Sequence, residues 1–148
     1  MSVITYNSVE LRDYTAASGG LWFHVIAGFD GAAEVRGEDV TIPGKAGRLA
    51  TNRVADKRTI VLEGWVIPVN EANYLALVQT TLAVFDPSAA AAELRLYGPY
   101  LGIASGHYYK ISARFLNALW DPSWEAGLPR KVTATFESVS SPPTWTYT

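Results

Sequence analysis

The run from Arg58 to Ile67 constrains this chain more than any other segment. In steps of two, Ile60, Leu62, Gly64 and Val66 form one wholly non-polar face, while Thr59, Val61, Glu63 and Trp65 form a mixed one. That is the pattern of a strand with one side in a core. A lone strand has no stability in water, so the rest of the chain must supply partners along its edges and a cover for its apolar side.

Candidate partners lie on both sides. Val3, Thr5 and Tyr6, then Val9 and Leu11, flank Asn7-Ser8 and predict a small N-terminal hairpin. Leu21 to Ala27, ending at Gly28, reads as a buried strand, and Glu93 to Tyr97 reads as another, stopped by Gly98-Pro99. Tyr108 to Leu119 and Lys131 to Val139 predict a long hairpin, with Trp120-Asp121-Pro122-Ser123-Trp124 and Gly127-Leu128-Pro129 in its connection. Gly37, Pro43, Gly44 and Gly47 break the segment from Ala33 to Arg53, which reads as a short strand followed by a protruding loop. The tail Ser140 to Thr148, with Pro142-Pro143, is expected to lie along a surface.

One helix is predicted. Asn70 suits an N-cap, Glu71 the first turn, and the pattern runs to about Phe85 before Asp86-Pro87-Ser88 ends it. Tyr74, Leu75, Val78, Leu82 and Phe85 are read as its apolar stripe, with Gln79, Thr80 and Thr81 on the flanks. The fold class expected is therefore mainly β with one flanking α-helix.

With 148 residues, 49% hydrophobic and 18% charged, the chain suits a single domain with its own core: residues 1–139, then an extended tail over 140–148. Lys and Arg total 12 against 14 Asp and Glu, a formal charge of −2, so no general field gathers phosphate backbones. The absence of Cys excludes disulfide scaffolds, Cys-type zinc sites and thiol nucleophiles. Met1 to Glu10 lacks the basic and apolar regions of a signal peptide, so synthesis without export is expected. The most apolar stretches, Leu21 to Phe29 and Tyr74 to Phe85, are about half the ~20 residues of a membrane span, and no membrane partner is expected.

Catalytic patterns fail one after another. Gly44-Lys45 lacks the correctly spaced earlier glycine of a phosphate loop, and Ala46 stands where a Mg²⁺-binding hydroxyl belongs. Ser105 is displaced from the centre of a nucleophile elbow in Gly102-Ile103-Ala104-Ser105-Gly106. His24, within an apolar run, reads as a sheet or core histidine, and His107 as a loop residue. Asp30, Glu34, Glu38, Asp39 and Glu125 have no spacing that pairs them for glycoside hydrolysis. No catalytic residue, metal ligand or cofactor is assigned, and the chain is read as a non-enzyme. Among the tryptophans, Trp22, Trp65 and Trp120 are read as core packing, whereas Trp124 and Trp145 are candidates for a contact surface with protein or sugar.

Charge is distributed unevenly. Asp30, Glu34, Glu38 and Asp39, with only Arg36 among them, precede Lys45, Arg48, Arg53, Lys57 and Arg58, opposed only by Asp56. Two flanks of one solvated loop would look this way. So would a basic loop that meets the acidic flank of a neighbouring copy, head to tail.

Several pieces then occur in a telling order. Ile4-Thr5-Tyr6-Asn7 and Leu11-Arg12-Asp13-Tyr14 are followed by Ala27-Gly28-Phe29 and Glu34-Val35-Arg36-Gly37-Glu38-Asp39. Next come Ile42-Pro43-Gly44-Lys45-Ala46-Gly47 and Asp56-Lys57-Arg58-Thr59-Ile60-Val61-Leu62-Glu63-Gly64. In this succession the chain resembles the N-terminal domain of phage distal tail proteins. The resemblance implies a tail-tube-like β-sandwich assembled as a hexameric ring at the tail tip of the virion. Such a ring joins the tail tube protein to the baseplate or tip hub proteins and lets DNA pass without specific binding; the subunit is made in the host cytoplasm. It also implies subunit contacts at Glu38, Asp39, Gly44, Lys45, Gly47, Arg48, Arg53, Lys57 and Arg58, and it makes Asp30 and Glu34 candidates to face the lumen. The alternatives are a tail-tube or tail-completion protein of the same fold, or a carbohydrate-binding β-sandwich module displaying Trp124 and Trp145.

Overall fold

A computed structural model describes residues 3–30, 35–36, 40–41, 48–49, 54–122, 128–140 and 142–148. The period-two run forms strand β8, Thr59–Ile67, and Ile60, Leu62, Gly64 and Val66 are buried as the alternation requires. Before it come β1 (Ile4–Tyr6), β2 (Val9–Glu10), β3 (Gly20–Ala27), β4 (Val35–Arg36), β5 (Val40–Thr41), β6 (Arg48–Leu49) and β7 (Val54–Ala55). After it come α1 (Glu71–Val84), β9 (Ala92–Tyr97), α2 (Gly98–Leu101), β10 (Tyr108–Trp120), β11 (Arg130–Ser138) and β12 (Thr146–Tyr147). The short α2, capped by Gly102 in the left-handed conformation, was not expected where Gly98-Pro99 reads as a stop.

The main sheet is antiparallel in the order β2-β1-β9-β10-β11-β8-β3, with β12 added on β10. Its pivot is β10. Tyr108 to Ala113 pair with β9 and Ala113 to Trp120 pair with β11, so one strand belongs to both halves of the sheet. The halves face each other: the ring of Tyr6 on β1 meets that of Phe136 on β11 with centroids 4.8 Å apart. On the far side the bridge Arg12↔Trp22 and the hydrogen bond from Phe23 N to Leu11 O draw the chain after β2 onto β3. The result is the expected mainly β sandwich with a flanking helix.

The first hairpin turns through Asn7 and Ser8, both at positive φ (51° and 64°), the geometry that a two-residue hairpin loop needs. Glu10 ties its ends by accepting from the backbone N–H groups of Val3, Ile4 and Arg12. Gly64 is required by a close approach. A Cβ there would stand 2.4 Å from the carbonyl oxygen of Trp22 and 2.6 Å from the Cα of Phe23 across the ladder.

Helix α1 begins where expected. Asn70 Oδ1 accepts from Asn73 N at 2.9 Å, and Asn73 Oδ1 in turn accepts from Val69 N at 3.0 Å. Its buried face differs from the expected stripe. Tyr74, Thr81, Val84 and Phe85 are buried and Leu77 and Val78 pack beside them, while Leu75 and Leu82 are 56% and 54% exposed. Apolar residues occur all around this helix, so sequence spacing alone admits more than one stripe. Thr81 bonds its hydroxyl to Leu77 O at 2.8 Å and Tyr74 receives Arg130 Nη1 at 3.0 Å, so both can be buried with their polar atoms paired. Phe85 then stacks on Phe115 and meets Phe23 and Phe136 edge-on, closing the core.

Candidate subunit-contact surface

The chain between β3 and β8 builds its own small ladders. Val35 and Arg36 pair with Ala55 and Val54, and Val40 and Thr41 pair with Leu49 and Arg48. Both ladders stand outside the main sheet. In sequence the β5–β6 pair is nested within the β4–β7 pair, and both lie between β3 and β8. A loop with only one short strand is thereby corrected to an arm of four short strands.

The root of this arm is held by groups that sequence reading had placed elsewhere. Arg58 is buried, and it donates from Nε to Pro143 O at 3.1 Å and from Nη1 to Gly28 O at 3.3 Å. Its backbone N–H donates to Ser138 Oγ at 2.8 Å. Trp145 Nε1 also donates to Gly28 O, at 3.0 Å, and Phe29 packs against both Trp145 and Tyr109. Gly28 can take this place because it sits at φ 95°, and a Cβ would come within 2.3 Å of Thr59 O. The C-terminal residues thus clamp the root: Tyr109↔Tyr147 and Lys110↔Thr146 pair beside it. Trp145, expected on a contact surface, is instead partly buried against the core.

Beside the root, Lys57 Nζ lies 3.3 Å from Glu137 Oε2, and Arg114 binds the same carboxylate through Nε at 3.1 Å. The hydrogen bond from Arg114, helped by that from Lys57, holds the Glu137 carboxyl below the usual carboxylate range. Asp30 is exposed at the mouth of a cleft of about 340 Å³, which Val25, Gly28, Phe29, Leu96 and Tyr100 also line. Of the remaining candidates, Arg48 is described as a β6 backbone residue, whereas Glu34, Glu38, Asp39, Gly44, Lys45, Gly47 and Arg53 lie outside the described residues, as does Trp124.

Sequence reading also missed a second surface. Trp22 and Trp65 are cross-strand partners on the outer side of β3 and β8, 38% and 37% exposed rather than packed in the core. The inner positions of these strands are already filled by Phe23, Leu62 and Val66, and alternation sends the indoles outward. Trp120 does pack against the core. His24 sits on the same outer face, one row on, opposite Glu63. His107 is an exposed loop residue stacked on Tyr147. Among the described residues no group of three or more His, Cys, Asp or Glu side chains could hold a metal, and no helix is long and apolar enough to cross a membrane.

No protein-family model matches the sequence, and no curated protein matches it. Among solved structures, the crystal structure of SPP1 Dit (gp 19.1) superposes over 93% of this chain with a TM-score of 0.63 at 15% sequence identity. The fold is that of a phage distal tail protein. SPP1 Dit is described as a paradigm of the hub adsorption apparatus in phages that infect Gram-positive bacteria, and the match spans 49% of its length. At this level of identity the likeness concerns architecture: the sandwich and its flanking helix.

Proposed function

We propose that this chain is a structural subunit of a phage tail. In this reading it is a distal tail protein whose copies close head to tail into a hexameric ring at the tail tip, joining the tail tube to the baseplate or tip hub and leaving a central passage for DNA. The observation that carries the reading is the likeness to SPP1 Dit over nearly the whole chain. The paired arm between β3 and β8 supports it. Arg58 and Trp145 both bond Gly28 O and so fix the chain where it leaves β3 and enters β8, and the short ladders between can meet a neighbour without unfolding the body that carries them. Head-to-tail contact uses two unlike patches per copy, which is the condition for a closed ring. The contacts assigned to Glu38, Asp39, Gly44, Lys45, Gly47, Arg48, Arg53 and Lys57, and the lumen-facing roles of Asp30 and Glu34, belong to this proposal. Arg58 belongs to the root instead, since its guanidinium is bonded within the subunit.

The reading assigns the work to geometry and needs no catalytic group, and it places the protein in the virion after synthesis in the host cytoplasm. The carbohydrate-module alternative loses one of its two aromatic platforms, because the Trp145 indole is bonded to Gly28 O within the chain. Size-exclusion chromatography with light scattering tests the proposal. A species near six protomers is expected, and a single-chain mass with glycan binding would turn the reading to the alternative.

A further inference from the structure

The outer face of β3, β8, β11 and the second half of β10 is laid out in rows: Trp22, Trp65 and Lys131 in one, then His24, Glu63, Thr133 and Leu119. Leu119 is 73% exposed, and Ile26, at the irregularity between Val25 and Ala27, is 49% exposed. At ~200 Å² or slightly more for each fully exposed side chain, Trp22, Trp65 and Leu119 present about 300 Å² on this face, with the Arg12 guanidinium 3.8 Å over the Trp22 ring. That is the lower end of the largest patch on a typical monomer, ~300–600 Å², and under half of what one partner buries in a standard interface.

A second apolar patch lies on the other side of the sheet, because α1 covers the inner face. Glu71, Leu75 and Leu82 fall on one flank of α1 by their i, i+4, i+11 spacing, with both leucines more than half exposed. The two patches are complementary in charge. Beside Trp65 the Lys131 side chain is 42% exposed against 27% for its partner Glu63, and at the other end of the same face Lys57 and Arg114 are 40% and 56% exposed around Glu137, which is only 15% exposed. The helix layer from Pro68 to Ala92 carries Glu71 and Asp86 and no Lys or Arg.

We infer that the outer sheet face around Trp65 and Leu119 docks the Leu75–Leu82 flank of α1 from a second copy of this chain. The inference rests on the ring reading above and gives it a body contact besides the arm. Two unlike, oppositely charged apolar patches on opposite sides of one sheet repeat head to tail, and the charges steer the approach while the leucines and indoles supply the burial.

The chain has no cysteine, so introduced thiols report without background. Leu82→Cys and Leu119→Cys are made singly and together, and treated with a short bis-maleimide after light scattering has fixed the mass. Neither single variant should cross-link to itself, their mixture should give a two-chain product, and the double variant a ladder up to six chains. Leu119→Asp should keep the wild-type melting curve at concentrations where both proteins are dispersed and weaken association at least tenfold. Cross-linking within either single variant, a hexamer that gives no mixed product, or a Leu119→Asp chain that assembles normally overturns this surface and leaves the ring standing. A single-chain mass at every concentration overturns both.

Discussion

The two faces of β3, β8 and β11 are built from the same strands and obey opposite rules. Inward, Phe23, Ile60, Leu62, Val66, Val132, Ala134 and Phe136 are almost completely removed from solvent and form one cluster with the helix. Outward, Trp22 and Trp65 share a face with Glu63, Lys131, Thr133 and Glu137. The inner face is set by volume, since each ring must fit against its neighbours and a change of one group is felt. The outer face is set by what it will meet. Large aromatic residues therefore carry no single meaning in a strand, and only their phase relative to the filled side tells which role they have.

The largest effect expected on this comparison is at Phe136, whose ring touches those of Tyr6, Phe85 and Phe115. Phe136→Ala should lower unfolding stability by about 3–5 kcal/mol, through lost burial and an unfilled cavity. Denaturant titration measures it. A loss below about 1 kcal/mol would mean that the sandwich halves are not packed through this ring.

Arg58 comes next and tests whether the arm root is part of the core. Replacing it by Met keeps the apolar stem but removes the donors to Pro143 O and Gly28 O. A loss of about 2 kcal/mol is expected, because a buried charged donor bonded to carbonyls is worth more than a neutral one and Pro143 O loses the bond from Arg58, while Gly28 O keeps that from the Trp145 indole. Hydrogen exchange localises the change: protection should fall around residues 28–30 and 142–147 before it falls in β8. Uniform loss across the sheet would break the distinction between root and core.

How far these regions were legible follows from the same contrast. The β8 alternation, the Asn7-Ser8 hairpin, the Asn70 cap and the β10–β11 hairpin were readable because each is fixed by neighbours a few residues away. The stripe of α1 was not. Leu75 and Leu82 are as apolar as Leu77 and Val84, and nothing in the helix's own residues tells which pair turns toward the sheet that Phe85 meets at Phe23, Phe115 and Phe136. Arg58 looked like part of a basic run because its acceptors, Gly28 O and Pro143 O, are backbone atoms that no residue type advertises. The indoles of Trp22 and Trp65 were assigned to the core by bulk alone. The period-two pattern of β8 puts Trp65 on the mixed face opposite Ile60 and Leu62, so phase rather than size identifies it.

Glu137 sharpens the comparison through pH. Its carboxyl is held low by the hydrogen bond from Arg114 and then that from Lys57, so the ionised form is favoured more in the folded chain than in the unfolded one. Its contribution is complete above about pH 5, where the unfolded group is also ionised, and is lost as pH falls through the lowered folded value. Glu137→Gln should be less stable than the parent near neutrality, with the gap closing as the solution is acidified toward pH 3. A gap that widens on acidification would show that Glu137 is not ionised in its pair.

The smallest effect is expected at the most exposed residue of the outer face. Leu119 lies opposite Thr133 and is 73% exposed, so in the single chain it has almost no burial to lose. Leu119→Ser should change unfolding stability by no more than about 0.5 kcal/mol when measured at a concentration where the protein is dispersed. The same substitution should matter more as concentration rises, because an assembly that buries this side chain adds its binding free energy to the apparent stability of the parent and less to that of the variant. A concentration-independent difference of the size expected for Phe136→Ala would place Leu119 in the core of the single chain, and the two faces would then no longer follow different rules.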